Sequence, residues 1–235
     1  MRLLASRSIL TLRRDGRFTL TRLGRALRSD DPNSVASMVT FVGSPQRWAH
    51  WSNALHSVRT GRSAMAEIRK MPVFEYLDTD PEFAAIFNNA MTAMSTIAIE
   101  TAFPAYDFTD RRRIVDIGGG HGALLSGALR HAPQARGVLY DLPAVVAGAG
   151  QQLTAAGVST RCDAEGGSFF DTVPAGGDAH LMKNIIHDWD DEKSLAILRI
   201  SVRPSPPTAS CCCSSRYCPK GRPITWACWS TSRCR

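Results

Sequence analysis

Residues 113–122 read RIVDIGGGHG, a short apolar run that ends in a cluster of glycines. The apolar run has the length of a buried strand, and glycines permit the positive φ angles of a sharp turn. Residues 123–130 then continue with the pattern of a helix. Such a turn leaves the free N–H groups of the helix facing any ligand above it. The stretch therefore predicts the first strand–turn–helix unit of a ligand-binding α/β sheet.

Strands and helices alternate with short connections after this unit. We expect a second strand at 137–143, a helix at 145–156, a third strand near 159–162, a fourth near 179–185 and a helix at 191–200. This alternation is typical of a parallel sheet wound with helices. The predicted fold class is α/β, with a Rossmann-like, doubly wound and incomplete sheet that follows a mainly helical region.

The first hundred residues have a different character. Asp15-Gly16 predicts a hairpin, and Thr21 can cap a short helix after it, as in the wing of a winged-helix unit. Asp80-Pro81 predicts the start of a long helix. We divide the chain into a winged-helix and dimerisation remnant at 1–32, a helical linker and substrate-side region at 33–104, a ligand-binding domain at 105–200 and a tail at 201–235.

The tail departs from every pattern before it. It contains six of the seven cysteines, and residues 200–235 hold six Lys or Arg and no acid. It shows neither the period of a strand nor that of a helix. Its cysteines lack zinc-ligand spacing, so we predict no metal site. Our hypothesis is that the tail is a disordered, frameshifted sequence after a truncated domain; the alternative is a genuine basic extension.

The charge of the chain is concentrated in that tail. The net charge is +7, but the residues before 200 are nearly balanced. We therefore expect no nucleic-acid partner, although residues 11–28 keep a winged-helix DNA-binding regulator open as an alternative. No apolar run approaches the ~20 residues of a membrane span, and we find no signal peptide. We expect a cytoplasmic protein without a membrane partner.

Two motifs suggest a site for a nucleotide-like ligand. Asp116 precedes the turn Gly118-x-Gly120-x-Gly122, which fits a dinucleotide site and also the methyltransferase form of the turn, and the acid favours the latter. Asp141 ends the next strand, where a carboxylate can accept both hydroxyls of a ribose. Its alternative role is a helix cap. A nicotinamide oxidoreductase would explain these two motifs but not those that follow.

Two further motifs add an aromatic group and a base. Residues 166–170, GGSFF, form a turn whose Phe169 could close over an adenine ring, the alternative being a pair of core phenylalanines. His187 follows the fourth strand within LMKNIIHDWDD, residues 181–191. An imidazole can accept a proton near neutral pH, and a neighbouring carboxylate could orient it. The order of the four motifs favours this reading over a surface or capping histidine.

In this order, IVDIGGGHG, YDLP, GGSFF and LMKNIIHDWDD resemble the small-molecule O-methyltransferases, whose familiar members are plant caffeate and bacterial polyketide-tailoring enzymes. The similarity extends to residues 72–83 and 87–97, and faintly to 16–28. HDWDD is specific to the family, whereas the glycine turn is not. The resemblance implies S-adenosylmethionine as cofactor, a small aromatic or polyketide-like hydroxyl acceptor, and a homodimer, although the dimerisation helices are largely missing.

The resemblance also implies residue roles. In the family, the residues at the positions of Gly118 and Gly120 contact the methionine part of the cofactor, and the one at Asp141 binds the ribose. Those at Ser168 and Phe169 contact the adenine, and the one at Lys183 makes a further contact with the cofactor. His187 corresponds to the general base, and Met91 to a residue that packs on the acceptor ring. Ser168 stands where the family usually has an acid, so we expect weakened cofactor binding. No Asp or Glu follows Glu192, so the acids that orient the catalytic histidine in the family are missing. We therefore expect little or no turnover.

Overall fold

The computed structural model describes residues 1–31, 34–103, 106–202, 210–214 and 227–230, without the side chains of 97, 98, 100–102, 202, 210–214 and 227–230. These residues belong to two compact units, 1–94 and 95–235, and each is described by itself. None of the helices in the described ranges is both long enough and apolar enough to span a membrane.

The first unit begins with a hairpin and continues with short helices. Its elements are α1 (Arg2–Ser6), β1 (Leu10–Leu12), β2 (Phe18–Leu20), α2 (Arg22–Arg25), α3 (Ala36–Val42), α4 (Pro45–Ser52), α5 (Ala54–Thr60), α6 (Ala64–Arg69), α7 (Val73–Thr79) and the start of α8 (Pro81–Ala102). β1 and β2 pair antiparallel, and Gly16 turns between them with φ +81°. The Thr21 hydroxyl accepts the N–H of Gly24 at 3.1 Å. The predicted hairpin and helix cap are confirmed.

Aromatic side chains form the core of this unit. Tyr76 and Phe83 are buried, and Phe41 stacks on Phe83 with 5.9 Å between ring centroids. Asp80 fixes the junction of α7 and α8, because Oδ1 accepts the N–H of Phe83 at 3.0 Å and Oδ2 accepts the Tyr76 hydroxyl at 2.8 Å. The predicted helix start at Asp80-Pro81 is thus confirmed, since the carboxylate caps the first turn of α8.

The second unit is built on a six-stranded sheet. Its elements are β3 (Arg113–Ile117), α9 (Ala123–His131), β4 (Arg136–Asp141), α10 (Pro143–Val146), α11 (Gly150–Ala155), β5 (Cys162–Gly166), β6 (Ala179–Lys183), α12 (Asp191–Val202), β7 (Ser210–Ser214) and β8 (Ala227–Ser230). The strand order is β5-β4-β3-β6-β7-β8, and only the β7–β8 pair is antiparallel. The α/β prediction is confirmed.

The position of β3 decides where a ligand can bind. The chain passes from β3 through β4 to β5 on one side and returns with β6 on the other side. In such sheets the crevice lies at the carboxyl ends of the strands where the order reverses. Here that place is the edge at which β3, β4 and β6 end.

Alternate residues of β3 pack on opposite faces of the sheet. Ile114 lies in the core with Leu125 of α9, whereas Val115 and Ile117 lie in the core with Ile197 of α12. Because both faces are covered, the strand is apolar almost throughout, which explains why its pattern was clear in the sequence.

The third strand was predicted in the wrong place. Residues 159–161 form a single 3₁₀ turn, and β5 runs from Cys162 to Gly166 instead. Four of the five residues of β5 are exposed, and Asp163 and Glu165 are charged. An edge strand with little burial has no apolar alternation to detect, so the prediction stopped at its first residue.

The helix predicted at 145–156 is also corrected. The structure has two short helices, α10 at Pro143–Val146 and α11 at Gly150–Ala155. Proline fits the first turn of α10, while Gly148 and Gly150 disfavour one continuous helix.

Two strands lie where the sequence pattern predicted none. β7 pairs parallel with β6, with Ser214 beside Lys183, and β8 pairs antiparallel with β7. Cysteine behaves as a small apolar residue, so Cys211–Cys213 form an acceptable strand that a search for alternation misses. These nine residues form strands in the structure, and the disorder predicted for the tail stays a prediction. The remainder of 203–235 lies outside the described residues, and the frameshift remains a hypothesis.

Candidate functional site

The glycine turn after β3 has an open backbone. Gly118, Gly120 and Gly122 have φ angles of +65°, +61° and +83°. A Cβ atom on Gly120 would meet nothing within 4 Å, whereas one on Gly118 would collide with the side chain of Ile185. Glycine is therefore needed at Gly118 for packing and backbone geometry, and the space over Gly120 is left for a ligand to approach the chain.

Asp116 lies directly beneath this turn. Its side chain is buried, and Oδ2 accepts the N–H of Leu125 at 3.2 Å. Gly122, the N-cap residue of α9, has no side chain with which to cap the helix, so β3 supplies the cap. Within the described part of the chain, Oδ1 has no hydrogen-bond partner. Burial raises the pKa of Asp116 to about 7, against the N–H of Leu125 and the charge of Lys183.

Asp141 connects the end of β4 to the same turn. Its Oδ2 accepts the N–H of Gly120 at 2.8 Å, and its Oδ1 accepts the N–H of Leu142 at 2.7 Å. Burial raises the pKa of Asp141, while these two hydrogen bonds and the charge of His121 act in the opposite direction. The glycine turn and the Asp141 motif, which are far apart in sequence, are therefore joined by a hydrogen bond.

The GGSFF segment lies next to Asp141. Gly166 pairs with Asp141 in the β4–β5 register, and the N–H of Gly167 donates to the Asp141 carbonyl at 2.9 Å. The Ser168 hydroxyl accepts the N–H of Phe170 at 3.2 Å, which closes its own turn. Phe169 approaches Gly118 and also packs against the apolar core, while its contact with an adenine ring stays a prediction.

Lys183 ends β6, the other neighbour of β3. The β3–β6 register pairs Asp116 with Leu181, two residues before Lys183, and the Lys183 charge acts on Asp116. Asn184 then turns the chain with φ +58°. A residue other than glycine in this region is uncommon, although asparagine tolerates it best. Sequence analysis gave Asn184 no role.

His187 lies in a 3₁₀ turn formed by Ile186–Asp188. Its Nε2 is 3.2 Å from Oδ1 of Asp188, and its side chain is 26% exposed. Burial raises the pKa of Asp188, and the charge of His187 lowers it. The next residue, Trp189, packs edge-on against Phe170 at 4.7 Å and near Phe169 at 6.2 Å. The third and fourth motifs are thus in contact through their aromatic rings.

The structure brings together most of the residues singled out in the sequence. The carboxyl edge of β3, β4, β5 and β6 collects Gly118, Gly120, Asp141, Ser168, Phe169, Lys183 and His187. Met91 belongs to α8 in the first unit, and its role stays a prediction. Among the side chains that the structure describes, no cluster of His, Cys, Asp or Glu is arranged to hold a metal ion.

His121 is a further candidate residue of this region, and no role was predicted for it from the sequence. Its Nε2 would be 3.1 Å from a Cβ atom on Gly148, and its charge acts on Asp141. The signal was available, because His121 stands inside the turn between Gly120 and Gly122.

Comparisons with known proteins agree with this geometry. A family described as "O-methyltransferase domain" matches residues 48–208. The phenazine O-methyltransferase PhzM of Lysobacter antibioticus is 39% identical over 206 residues, which cover 88% of this chain and 60% of the relative. The mitomycin biosynthesis 6-O-methyltransferase of Streptomyces lavendulae is 36% identical over 85% of this chain and 57% of its own length.

Solved structures give the same result. The crystal structure of LaPhzM superposes with a TM-score of 0.87 at 38% identity and covers 94% of this chain and 66% of its own. Human N-acetylserotonin methyltransferase, at 22% identity and a TM-score of 0.83, shares the fold. This chain spans less than two thirds of the length of these relatives. The family match covers more than half of the chain, and the chain therefore belongs to the O-methyltransferase family.

Proposed function

We propose that this chain binds S-adenosylmethionine at the carboxyl edge of its sheet and serves methyl transfer to a hydroxyl of a small acceptor. The observation that carries the proposal is the hydrogen bond from Gly120 to Asp141. This bond joins the glycine turn, whose backbone a ligand can approach closely, to the Asp141 carboxylate, which can accept the hydroxyls of a ribose. Family membership favours a methyltransferase over the oxidoreductase that the same two motifs allow.

The residues present fit the cofactor. Each oxygen of Asp141 accepts one N–H, so each keeps acceptor capacity for a ribose hydroxyl. Gly120 leaves open space above the backbone, and Asp116 carries an unpartnered buried oxygen below it. When bound, the cofactor supplies a methyl group already activated on a sulfonium sulfur. The chain has therefore to position groups and move one proton.

Phe169 and Ser168 would meet the adenine. Phe169 places a ring carbon beside Gly118, and the Ser168 hydroxyl can still donate one hydrogen bond. A serine hydroxyl is a weaker acceptor for an adenine amino group than a carboxylate is. We therefore keep the expectation that this chain binds the cofactor less tightly than relatives with an acid at this position.

His187 is the base in this proposal. A neutral imidazole takes the proton of the acceptor hydroxyl, and the carboxylate of Asp188 stabilises the cation that forms. Asp188 is partly exposed, so its support is weaker than that of a buried acid. We expect slow turnover for this reason.

The acceptor is proposed to be aromatic or polyketide-like. Relatives include a phenazine O-methyltransferase and a 3-amino-4-hydroxybenzoate 4-O-methyltransferase, and a related crystal structure contains a hydroxynaphthoic acid with the cofactor. These names support a ring-bearing acceptor, against which Met91 would pack. Competition among such phenols for methyl transfer from labelled cofactor tests the assignment.

Homodimerisation and a cytoplasmic location complete the proposal. Trp48, Trp51 and Leu55 on α4 and α5 are more than half exposed, which suits a surface covered by a second copy. Cys162 is a free thiol, as is usual in reducing compartments. Light scattering tests the dimer, and cell fractionation tests the location.

A thermal shift experiment tests the proposed ligand. S-adenosylmethionine and its demethylated product, S-adenosylhomocysteine, should both raise the unfolding temperature in a concentration-dependent way. Reduced nicotinamide dinucleotide should leave it unchanged. A shift with the nicotinamide and none with the sulfonium compound would reverse the assignment.

A further inference from the structure

Asp116 is a buried acid to which the mechanism above gives no role. It is 1% exposed, and its Oδ2 is 2.7 Å from the position that a Cβ atom on Gly119 would take. Among the residues that the structure describes, the carboxylate accepts one hydrogen bond, from the N–H of Leu125 to Oδ2, and Oδ1 accepts none. Buried polar atoms in proteins nearly always have partners. An unpartnered carboxylate oxygen directly beneath the glycine turn therefore points to a group that acts on what the turn holds.

Charged groups on the two strands beside β3 influence this carboxylate. Lys183 on β6 favours its ionised form, whereas Asp141 on β4 and burial favour its protonated form. The thiol of Cys162 on β5 has a pKa raised to about 11 and stays uncharged at neutral pH. Burial is the strongest of these effects, and it raises the pKa of Asp116 to about 7. Near neutral pH the group is therefore divided between two charge states, and one additional charge nearby decides between them.

We infer that Asp116 is a positioning residue that is partly protonated in the cofactor-free chain near neutral pH and releases its proton when the cationic cofactor occupies the glycine turn. The inference rests on the proposed function. The carboxyl O–H bond breaks, the proton passes to solvent, and no other bond changes. A cation held over the turn favours the carboxylate through Coulomb attraction in a poorly solvated site. The ionised group then accepts the N–H of Leu125 more strongly and fixes the start of α9.

Titration calorimetry in buffers of different ionisation enthalpy measures the released proton. A group with a pKa of about 7 should release about 0.9 proton at pH 6 and about 0.1 at pH 8 when S-adenosylmethionine binds. By linkage, the affinity should be about tenfold higher at pH 8 than at pH 6. S-adenosylhomocysteine lacks the sulfonium charge, so it should release less. Equal release with both ligands would overturn the inference.

Asp116→Asn isolates the group. Asparagine keeps an oxygen for the N–H of Leu125 but cannot titrate, so the proton release and the pH dependence should fall to the level set by the ligand's own amine. Asp163→Asn is the matched control, because Asp163 is an exposed carboxylate on β5. It should leave both quantities unchanged.

The outcomes separate this inference from the proposed function. If the wild-type chain binds the sulfonium compound without releasing a proton, or if release persists in Asp116→Asn, the role of Asp116 is wrong while the cofactor assignment stands. If the wild-type chain binds neither ligand at pH 6 or pH 8, the proposed function is wrong and this inference with it. If Asp116→Asn does not fold, the comparison of the two ligands on the wild-type chain decides alone.

Discussion

The carboxylate of Asp141 accepts the backbone N–H of Gly120 across a distance of 2.8 Å. The bond fastens the end of β4 to the turn after β3, so the glycines are held in place before any ligand arrives. A site that is formed in advance loses less conformational entropy on binding. The same carboxylate is the one proposed to hold the ribose, and this dual use makes its removal informative.

Asp141→Ala should lower affinity for S-adenosylmethionine by at least about tenfold, because each hydrogen bond to a charged group contributes about 1.5–3 kcal/mol. Asp141→Asn should retain more affinity, since its oxygen still accepts one N–H. Calorimetric titration of both variants measures the effect. An unchanged dissociation constant in Asp141→Ala would show that the ribose lies elsewhere.

Gly120→Ala should abolish cofactor binding at a small cost in stability. The left-handed backbone at φ +61° costs a residue with a Cβ about 1–2 kcal/mol, and the new methyl group would enter the open space over the turn. Gly157→Ala is the matched control, with φ +70° and nothing within 4 Å. Both variants should lose similar stability in urea unfolding, and only Gly120→Ala should lose the ligand. Equal ligand binding by the two would contradict the account.

Arg161 should contribute strongly to the stability of the second unit. Its guanidinium donates to the carbonyls of Leu129, Ala132 and Ala135 at 3.0, 3.2 and 2.8 Å, near the C-terminal end of α9. Arg161→Ala should cost about 2–3 kcal/mol in urea unfolding, because carbonyls at a helix end lose a charged donor.

Arg161→Lys should recover little of that loss, since an ammonium cannot reproduce the spread of a guanidinium. Arg130→Ala, at an exposed position on α9, is the control and should have a small effect. A full rescue by lysine would show that charge alone matters at position 161.

Two buried groups should give opposite dependences of stability on pH. Burial lowers the pKa of His180 to about 4. The stability that comes from burying the neutral imidazole is therefore fully present above pH 6.5 and is lost as the pH falls toward 4. Burial raises the pKa of Asp116 to about 7. The stability that comes from burying the protonated carboxyl group is therefore fully present below pH 3.8 and is lost as the pH rises through 7. Across these ranges the free energy of unfolding should change by about 3 kcal/mol for His180 and about 4 kcal/mol for Asp116.

Single variants separate the two groups. Relative to wild type, Asp116→Asn should become progressively more stable as the pH rises from 4 to 7, and His180→Asn should become relatively more stable as the pH falls from 6.5 to 4. Urea unfolding at several pH values measures both differences. A difference that does not vary with pH would mean that the group has an ordinary pKa in the folded chain.

His187→Ala should remove methyl transfer without removing the cofactor. The imidazole is proposed to act on the acceptor hydroxyl, so the dissociation constant of S-adenosylmethionine should stay within about twofold while turnover falls by about 10²–10⁴. Asp188→Asn should give a smaller loss of turnover, because the imidazolium that forms loses its neighbouring charge. Retained turnover in His187→Ala would assign the proton to another group.

The sequence predicted those parts of the fold that leave a clear local signal. β3 is covered on both faces and ends in glycines, so its apolar run and its turn were evident together. β5 is an exposed edge strand, and β7 is rich in cysteine, so neither shows the alternation that identifies a strand. Their position depends on pairing with neighbours distant in sequence, which local patterns do not contain.

In the site too, the sequence predicted the residues that leave a local signal and missed the contacts that depend on packing. Asp141 and the glycines were identified because their spacing matches a known way of binding nucleotides. The hydrogen bond between them, the unpartnered oxygen of Asp116 and the left-handed backbone of Asn184 arise from three-dimensional packing. The types and order of the residues predicted which groups would meet a ligand, whereas their charge states depend on burial and pairing in the folded chain.

Calorimetric titration of the purified chain with S-adenosylmethionine tests the central claim most directly. The account predicts saturable binding at one site per chain with a dissociation constant below about 1 mM, lost or strongly weakened in Asp141→Ala and Gly120→Ala and kept in Gly157→Ala. No heat and no thermal shift at about 1 mM ligand with the folded wild-type chain would contradict it.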